Sequence, residues 1–141
     1  MRSAKNHAIF RLPQVVGKTT NPNALTNYLF SRIMSESHFQ AWRHAKRNLI
    51  DIDHIALIVT HIIRASLGSG VTAEIAKPFS IFIQRLVSIF EDVMHRRANF
   101  TLVEAGDSNS FDATFASGTA SQVGVVSDDQ YPKNLIAKYY G

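Results

Sequence analysis

The stretch that decides the fold is residues 49–67, Leu-Ile-Asp-Ile-Asp-His-Ile-Ala-Leu-Ile-Val-Thr-His-Ile-Ile-Arg-Ala-Ser-Leu, closed by Gly68-Ser69-Gly70. From Ile55 onward nearly every position is apolar, so a helix here has no wide polar face and predicts burial on all sides. Its length favours helix over strand, since strands seldom exceed about eight residues. Asp51 or Asp53 can cap its start and place a carboxylate at the positive end of the dipole, and Gly68 or Gly70 can supply the left-handed residue that ends it. At about 100° per residue, His54, His61 and Arg64 share one stripe, the helix's polar face. The two histidines lie about 10.5 Å apart along the axis, whereas ligands of one zinc sit about 2 Å from it. The pair therefore reads as hydrogen-bonded polar residues at a packed boundary, not as a metal site.

Working outward toward the N-terminus, residues 38–50 read as a further helix. Phe39, Trp42 and Leu49 follow a 3.6-residue period, while Gln40, Arg43, His44 and Arg47 gather on the opposite side and Lys46 flanks the apolar edge. This is a basic face with aromatic support, a pattern that suits phosphate contacts. Before it, Asn21-Pro22 starts a helix to about residue 34, cap followed by Pro at the first helical position. Residues 1–20 hold no acid, and Pro13 and Gly17 argue against helix, which predicts an extended basic arm with a strand near 7–16.

Toward the C-terminus, Thr72 can cap a helix from Ala73 that Pro78 kinks or restarts. From Phe79 to about Arg97 the pattern is amphipathic, with Phe82, Ile83, Leu86, Ile89, Phe90 and Val93 inward. Past Asn99, the alternating runs 100–104 and 111–115 flank Gly106-Asp-Ser-Asn-Ser110, which predicts a hairpin. Residues 116–130 are rich in Ser, Gly, Ala and Thr, and the aromatic end 131–141 reads as a docking segment on a soft tether.

Composition bounds the function classes. At 141 residues and 45% hydrophobic, the chain can bury a core. With no Cys there are no disulfides, thiolate metal sites or cysteine nucleophiles. The longest uncharged hydrophobic stretch, between Asp53 and Arg64, is half of the roughly 20 residues a membrane span needs, so a soluble chain or assembly is expected. The net charge of +4 is uneven: residues 1–50 carry eight Lys or Arg against one Glu, and residues 101–141 carry two Lys against five acids. A basic beginning and an acidic end suit a polyanion, head-to-tail stacking, or both.

No Gly-rich phosphate loop is present, since Gly68-Ser-Gly70 lacks the Lys and the preceding strand, and no Ser-His-Asp arrangement follows from spacing. One constellation resembles a known family. Arg47-Asn48, then Leu-Ile-Asp-Ile-Asp, then His54 is similar to the Arg-polar-x(4–6)-His signature of the HEPN ribonucleases, all-α dimers that cut RNA without metal. That resemblance implies Arg47 on the scissile phosphate and His54 as the base that activates a 2′-hydroxyl.

The sequence alone thus predicts a mainly α protein, four or five helices around a central buried helix, with an extended N-terminal arm (1–20), a helical core (21–98) and a C-terminal hairpin and tail (99–141). It predicts no enzyme, no cofactor and no metal, but a self-assembling structural protein of the viral coat or nucleoprotein kind, a soluble assembly such as a virion. Its partners are copies of itself and nucleic acid, bound non-specifically through Arg2, Lys5, Arg11, Lys18, Arg43, Lys46 and Arg47. The alternatives are a HEPN-like ribonuclease and a small structural subunit of a large complex.

Overall fold

The computed structural model describes residues 7–65, 70–78, 80–106, 114–125 and 128–141. The elements run β1 (Ala8–Arg11), β2 (Gln14–Val16), α1 (Leu25–Met34), β3 (Phe39–Trp42), β4 (Lys46–Arg47), β5 (Leu49–Asp51), α2 (Ile52–Arg64), β6 (Val71–Glu74), β7 (Ile81–Phe82), α3 (Ile83–Met94), β8 (Phe100–Val103), α4 (Thr114–Gln122) and α5 (Tyr131–Tyr140). With 44% of the described residues in helix and 21% in strand, the protein is mixed α/β. The expected mainly α bundle is corrected.

Three strand pairs are parallel and join distant parts of the chain. Ala8–Arg11 runs alongside Val71–Glu74, Gln14–Val16 alongside Leu49–Asp51, and Phe39–Trp42 alongside Phe100–Val103. The antiparallel pair sets Lys46 opposite Phe82 and Arg47 opposite Ile81. Parallel partners need long crossovers, so local hydrophobic periodicity does not announce them. The N-terminal segment, expected as an outward arm, is from Ala8 onward two strands paired within the chain.

The deciding stretch splits at Asp51. Leu49-Ile50-Asp51 is strand, and its alternation sends Leu49 into a core with α1, α3 and α5 while Ile50 enters a second cluster with α2, α4 and β6. The Asp51 carboxylate accepts the Asp53 N–H at 3.0 Å and caps α2. Only Ile55, Ile58 and Ile62 of α2 form its buried stripe, whereas Leu57 is 48% and Ile63 62% exposed. The expected all-round burial of this helix is therefore corrected to burial on one face.

The helix expected over 38–50 is three strands. Phe39 and Ala41 are buried while Gln40 and Trp42 are exposed, so the period is two and the apparent 3.6 spacing of Phe39 and Trp42 is a coincidence of short runs. Likewise, Val71–Glu74 is a strand where a capped helix was expected. The expected hairpin is also corrected: Phe100–Val103 pairs with β3, residues 107–113 lie outside the described residues, and α4 begins at Thr114.

The expected tether over 116–130 carries most of α4, with Ala116 and Ala120 buried, and the segment 131–141, expected to dock outside the fold, is α5, which sets Tyr131, Leu135 and Ile136 into the first core. Polar contacts tie it down. Lys138 Nζ donates to Asp51 Oδ2 at 2.7 Å and Asp53 Oδ2 at 2.6 Å, and Tyr139 OH donates to Asp51 Oδ1 at 2.6 Å. At Gly106 φ is +109°, and a Cβ there would lie 2.7 Å from the Ala45 backbone nitrogen. Only glycine lets the chain turn past β3 at that point.

Candidate functional site

A cleft of about 590 Å³ opens where β4, β5, β7, the start of α3 and the start of α5 meet. Leu49, Ile81 and Pro132 form its apolar walls, Arg47, Lys77 and Arg85 bring cations, and Asp128 and Asp129 bring carboxylates. Its size and mixture of apolar wall with few converging polar groups are those of a small-molecule site.

Each cation is placed by a different part of the chain. Arg47 stands on β4, opposite Ile81 of the adjoining strand, and its guanidinium donates to the Lys46 carbonyl at 2.8 Å. Arg85, in the first turn of α3, lies four residues after Ile81 of β7 and is exposed at the rim. Among the described residues neither arginine is ion-paired to a carboxylate. Lys77 sits between β6 and β7, where buried Asn48 clamps its backbone: the amide nitrogen donates to the Lys77 carbonyl at 2.7 Å and the amide oxygen accepts the Lys77 N–H at 3.0 Å.

Lys77 is 5% exposed, yet among the described residues its ammonium has no hydrogen-bond partner and stands 4.0 Å above the Tyr131 ring. Burial pushes its pKa down to about 8, against an opposing attraction from Asp128.

Tyr131 separates this cleft from a smaller cavity of about 340 Å³ bordered by Asp51, His54 and Lys138. Its hydroxyl oxygen accepts the Asp51 N–H at 3.0 Å and lies 2.7 Å from His54 Nδ1. Burial, with smaller contributions from Lys77 and Lys138, holds the His54 pKa below its usual value although Asp51 opposes this. Burial pushes the Tyr131 phenol up to about 12. Burial alone would raise the Asp51 carboxyl, but hydrogen bonds from Lys138, Tyr139 and the Asp53 N–H outweigh it and keep it below the ordinary carboxylate value.

Of the residues expected to touch phosphates, the structure brings only Arg47 into the cleft. Arg43 pairs with Glu104 at 2.5 Å, a carboxylate that His44 also reaches at 2.8 Å. Lys46 lies over the Phe82 ring, Arg11 and Lys18 are exposed on and after the first two strands, and Arg2 and Lys5 lie outside the described residues. Sequence reasoning missed Lys77, Arg85 and Tyr131. A lone lysine in the run Ile75-Ala76-Lys77 was the available signal. His54 and His61 each make a hydrogen bond, the latter to Gln122 at 2.8 Å. The described residues contain no group of three His, Asp or Glu able to hold a metal, and no helix among them is long and apolar enough to cross a membrane.

No protein-family model matches the chain and no curated protein does, whereas the fold recurs among solved structures. UDP-glucuronic acid 4-epimerase from Bacillus cereus, in complex with UDP-glucuronic acid and NAD, superposes with a TM-score of 0.72 at 15% identity, over 94% of this chain and 43% of that one. dTDP-glucose 4,6-dehydratase from Bacillus anthracis, in complex with NAD, gives 0.68 at 9%, over 90% and 42%. UDP-glucose 4-epimerase from Thermus thermophilus, also with NAD, gives 0.68 at 10%, over 92% and 45%. This chain therefore spans less than half the length of each.

The likeness establishes a Rossmann-like α/β fold shared with NAD-dependent sugar epimerases and dehydratases. These neighbours are enzymes, which corrects the expectations of a coat protein in a virion and of a chain that is no enzyme. The HEPN-like reading falls with them: Arg47 lies on a strand, Asn48 clamps Lys77, and His54 bonds Tyr131.

Proposed function

We propose that this chain forms the substrate-binding lobe of an enzyme acting on nucleoside-diphosphate sugars, with the ligand's diphosphate held in the Arg47–Arg85 cleft. The observation that carries the reading is a cavity of about 590 Å³ into which two arginines project without a carboxylate partner among the described residues. Guanidinium groups match phosphoryl oxygens in charge and geometry, and the apolar walls suit a sugar or base face. The fold likeness supports the choice of ligand, because the Bacillus cereus neighbour holds UDP-glucuronic acid.

The neighbours' bound NAD raises the question of whether these residues fit that cofactor too. A dinucleotide pyrophosphate sits on a Gly-rich turn that follows a strand and opens a helix. Here the Gly68–Gly70 pair follows α2 and leads into β6, the reverse order. The described residues form no NAD cradle, and their part is to bind and orient the sugar nucleotide.

Calorimetric titration with UDP-glucose, UDP-glucuronic acid and dTDP-glucose tests the reading. Binding is expected, with Arg47→Ala and Arg85→Ala each weakening it by about tenfold or more, the loss of one charge-assisted contact. Absence of binding by all three nucleotides to the wild-type chain sinks it.

A further inference from the structure

We propose that Lys77 is the residue at the floor of the cleft that takes an anionic oxygen of the ligand, and that its proton gates ligand uptake. This rests on the cleft being the ligand site. A lysine almost never lies buried unless paired, and a buried ammonium without a hydrogen bond is costly to the fold. Here the backbone on either side leaves it little choice, since Asn48 grips both the N–H and the carbonyl of Lys77. The side chain is thus delivered to the cleft wall with three N–H donors and no acceptor among the described residues. The cations are graded in depth, with Arg85 exposed, Arg47 half-buried and Lys77 buried, so an entering anion meets the rim first and the ammonium last.

The charged and titratable groups around the ammonium are Arg47 on β4, Arg85 on α3, Asp128 and Asp129 before α5, Tyr131 on α5, and His54 on α2 behind the Tyr131 ring. Burial lowers the Lys77 pKa to about 8, while Tyr131 titrates near 12 and His54 below its usual value. The guanidinium groups stay charged. Lys77 is then the group whose charge changes between pH 7 and 9.5, a range in which phosphate groups are already ionised.

The anionic oxygen can belong to a phosphate or to a sugar carboxylate, and the probes separate them. Affinities for UDP, UDP-glucose and UDP-glucuronic acid are measured at pH 7, 8 and 9.5 on the wild type and on Lys77→Met, with Tm recorded for both. Wild-type affinity is expected to fall with pH above 8, by up to about tenfold per unit. K77M is expected to bind at least tenfold more weakly at pH 7, with no pH dependence and with a Tm unchanged or raised. Weakening of all three ligands assigns Lys77 to phosphate, and weakening of UDP-glucuronic acid alone assigns it to the carboxylate.

Equal affinity and an equal pH profile in K77M overturn the inference while leaving the Arg47–Arg85 reading intact. If K77M does not fold, the wild-type profile decides: affinity constant from pH 7 to 9.5 overturns it. If no nucleotide binds the wild type, inorganic pyrophosphate is the remaining probe. Lys77-dependent binding of pyrophosphate supports the inference without the sugar-nucleotide reading, and no binding overturns both.

Discussion

Asp51 shows how one side chain joins local and distant structure. Its carboxylate caps α2 through the Asp53 N–H and receives Lys138 and Tyr139 from α5, while it is itself only 2% exposed. Asp51→Ala removes the cap and leaves the Tyr139 hydroxyl without its acceptor, which is expected to cost about 2–4 kcal/mol. Asp51→Asn keeps an oxygen for the cap and is expected to cost less. Urea unfolding of both variants checks this, and an alanine variant as stable as the asparagine one would refute it. The capping role was legible, because Asp before an apolar run is a helix start. The contacts from residues 138 and 139 were not, since nothing local to residue 51 specifies a partner so far along the chain. Lys77 is the same case in reverse: the residue was visible, but its burial and lack of a partner exist only once Asn48, Tyr131 and β6 are assembled.

At the scale of elements, helices with a long 3.6-residue pattern were the readable ones. α1 lies within the span expected from Asn21-Pro22 to residue 34, and α3 buries Ile83, Leu86, Ile89 and Phe90 as its pattern implies. Strands of two to four residues were misread because so short a run matches either period; Phe39–Trp42 is the clear instance. α5 was misread for another reason: its burial is decided by the apolar surface of α3 and β5 waiting for it. Ile136 is fully buried, so Ile136→Ala is expected to destabilise the protein by about 2–4 kcal/mol and to loosen the cleft that α5 closes with Tyr131. Calorimetric Tm together with Tyr131 hydrogen-bond signals in NMR would check it. Stability unchanged by this substitution would mean that α5 does not hold the core.

For the whole molecule, the shifted groups set an unusual pH profile. His54 and Asp51 both have folded pKa values below their ordinary ones, so their stabilisation is lost as pH falls, first below about 6.5 and then below about 3.8. Lys77 is also depressed, to about 8, so the unfolded chain binds its proton more tightly; that penalty is in full force below 8 and is relieved as pH rises from about 8 toward 10.5. Tyr131, Tyr139 and Tyr140 are raised, mainly by burial, and Lys138 is raised by its hydrogen bonds to Asp51 and Asp53. Their stabilisation is lost above about pH 10. Stability is therefore expected to peak between pH 8 and 10, and K77M to flatten the rise. Thermal melts at pH 5, 7, 9 and 11 read this directly, and a wild-type Tm lower at pH 9 than at pH 7 would contradict it.

By itself the sequence determined a chain able to bury a core, two of its amphipathic helices, the Asp51 cap, and the presence of basic residues that invite an anion. Tertiary structure alone decided that three of the four strand pairs among the described residues run parallel across the chain, that α2 is buried on one face, and that Arg47, Lys77 and Arg85 share a cleft. The physical reason is range. Caps and amphipathic stripes arise from neighbours within a few turns, whereas parallel pairing and the burial of a charge depend on what distant segments bring alongside.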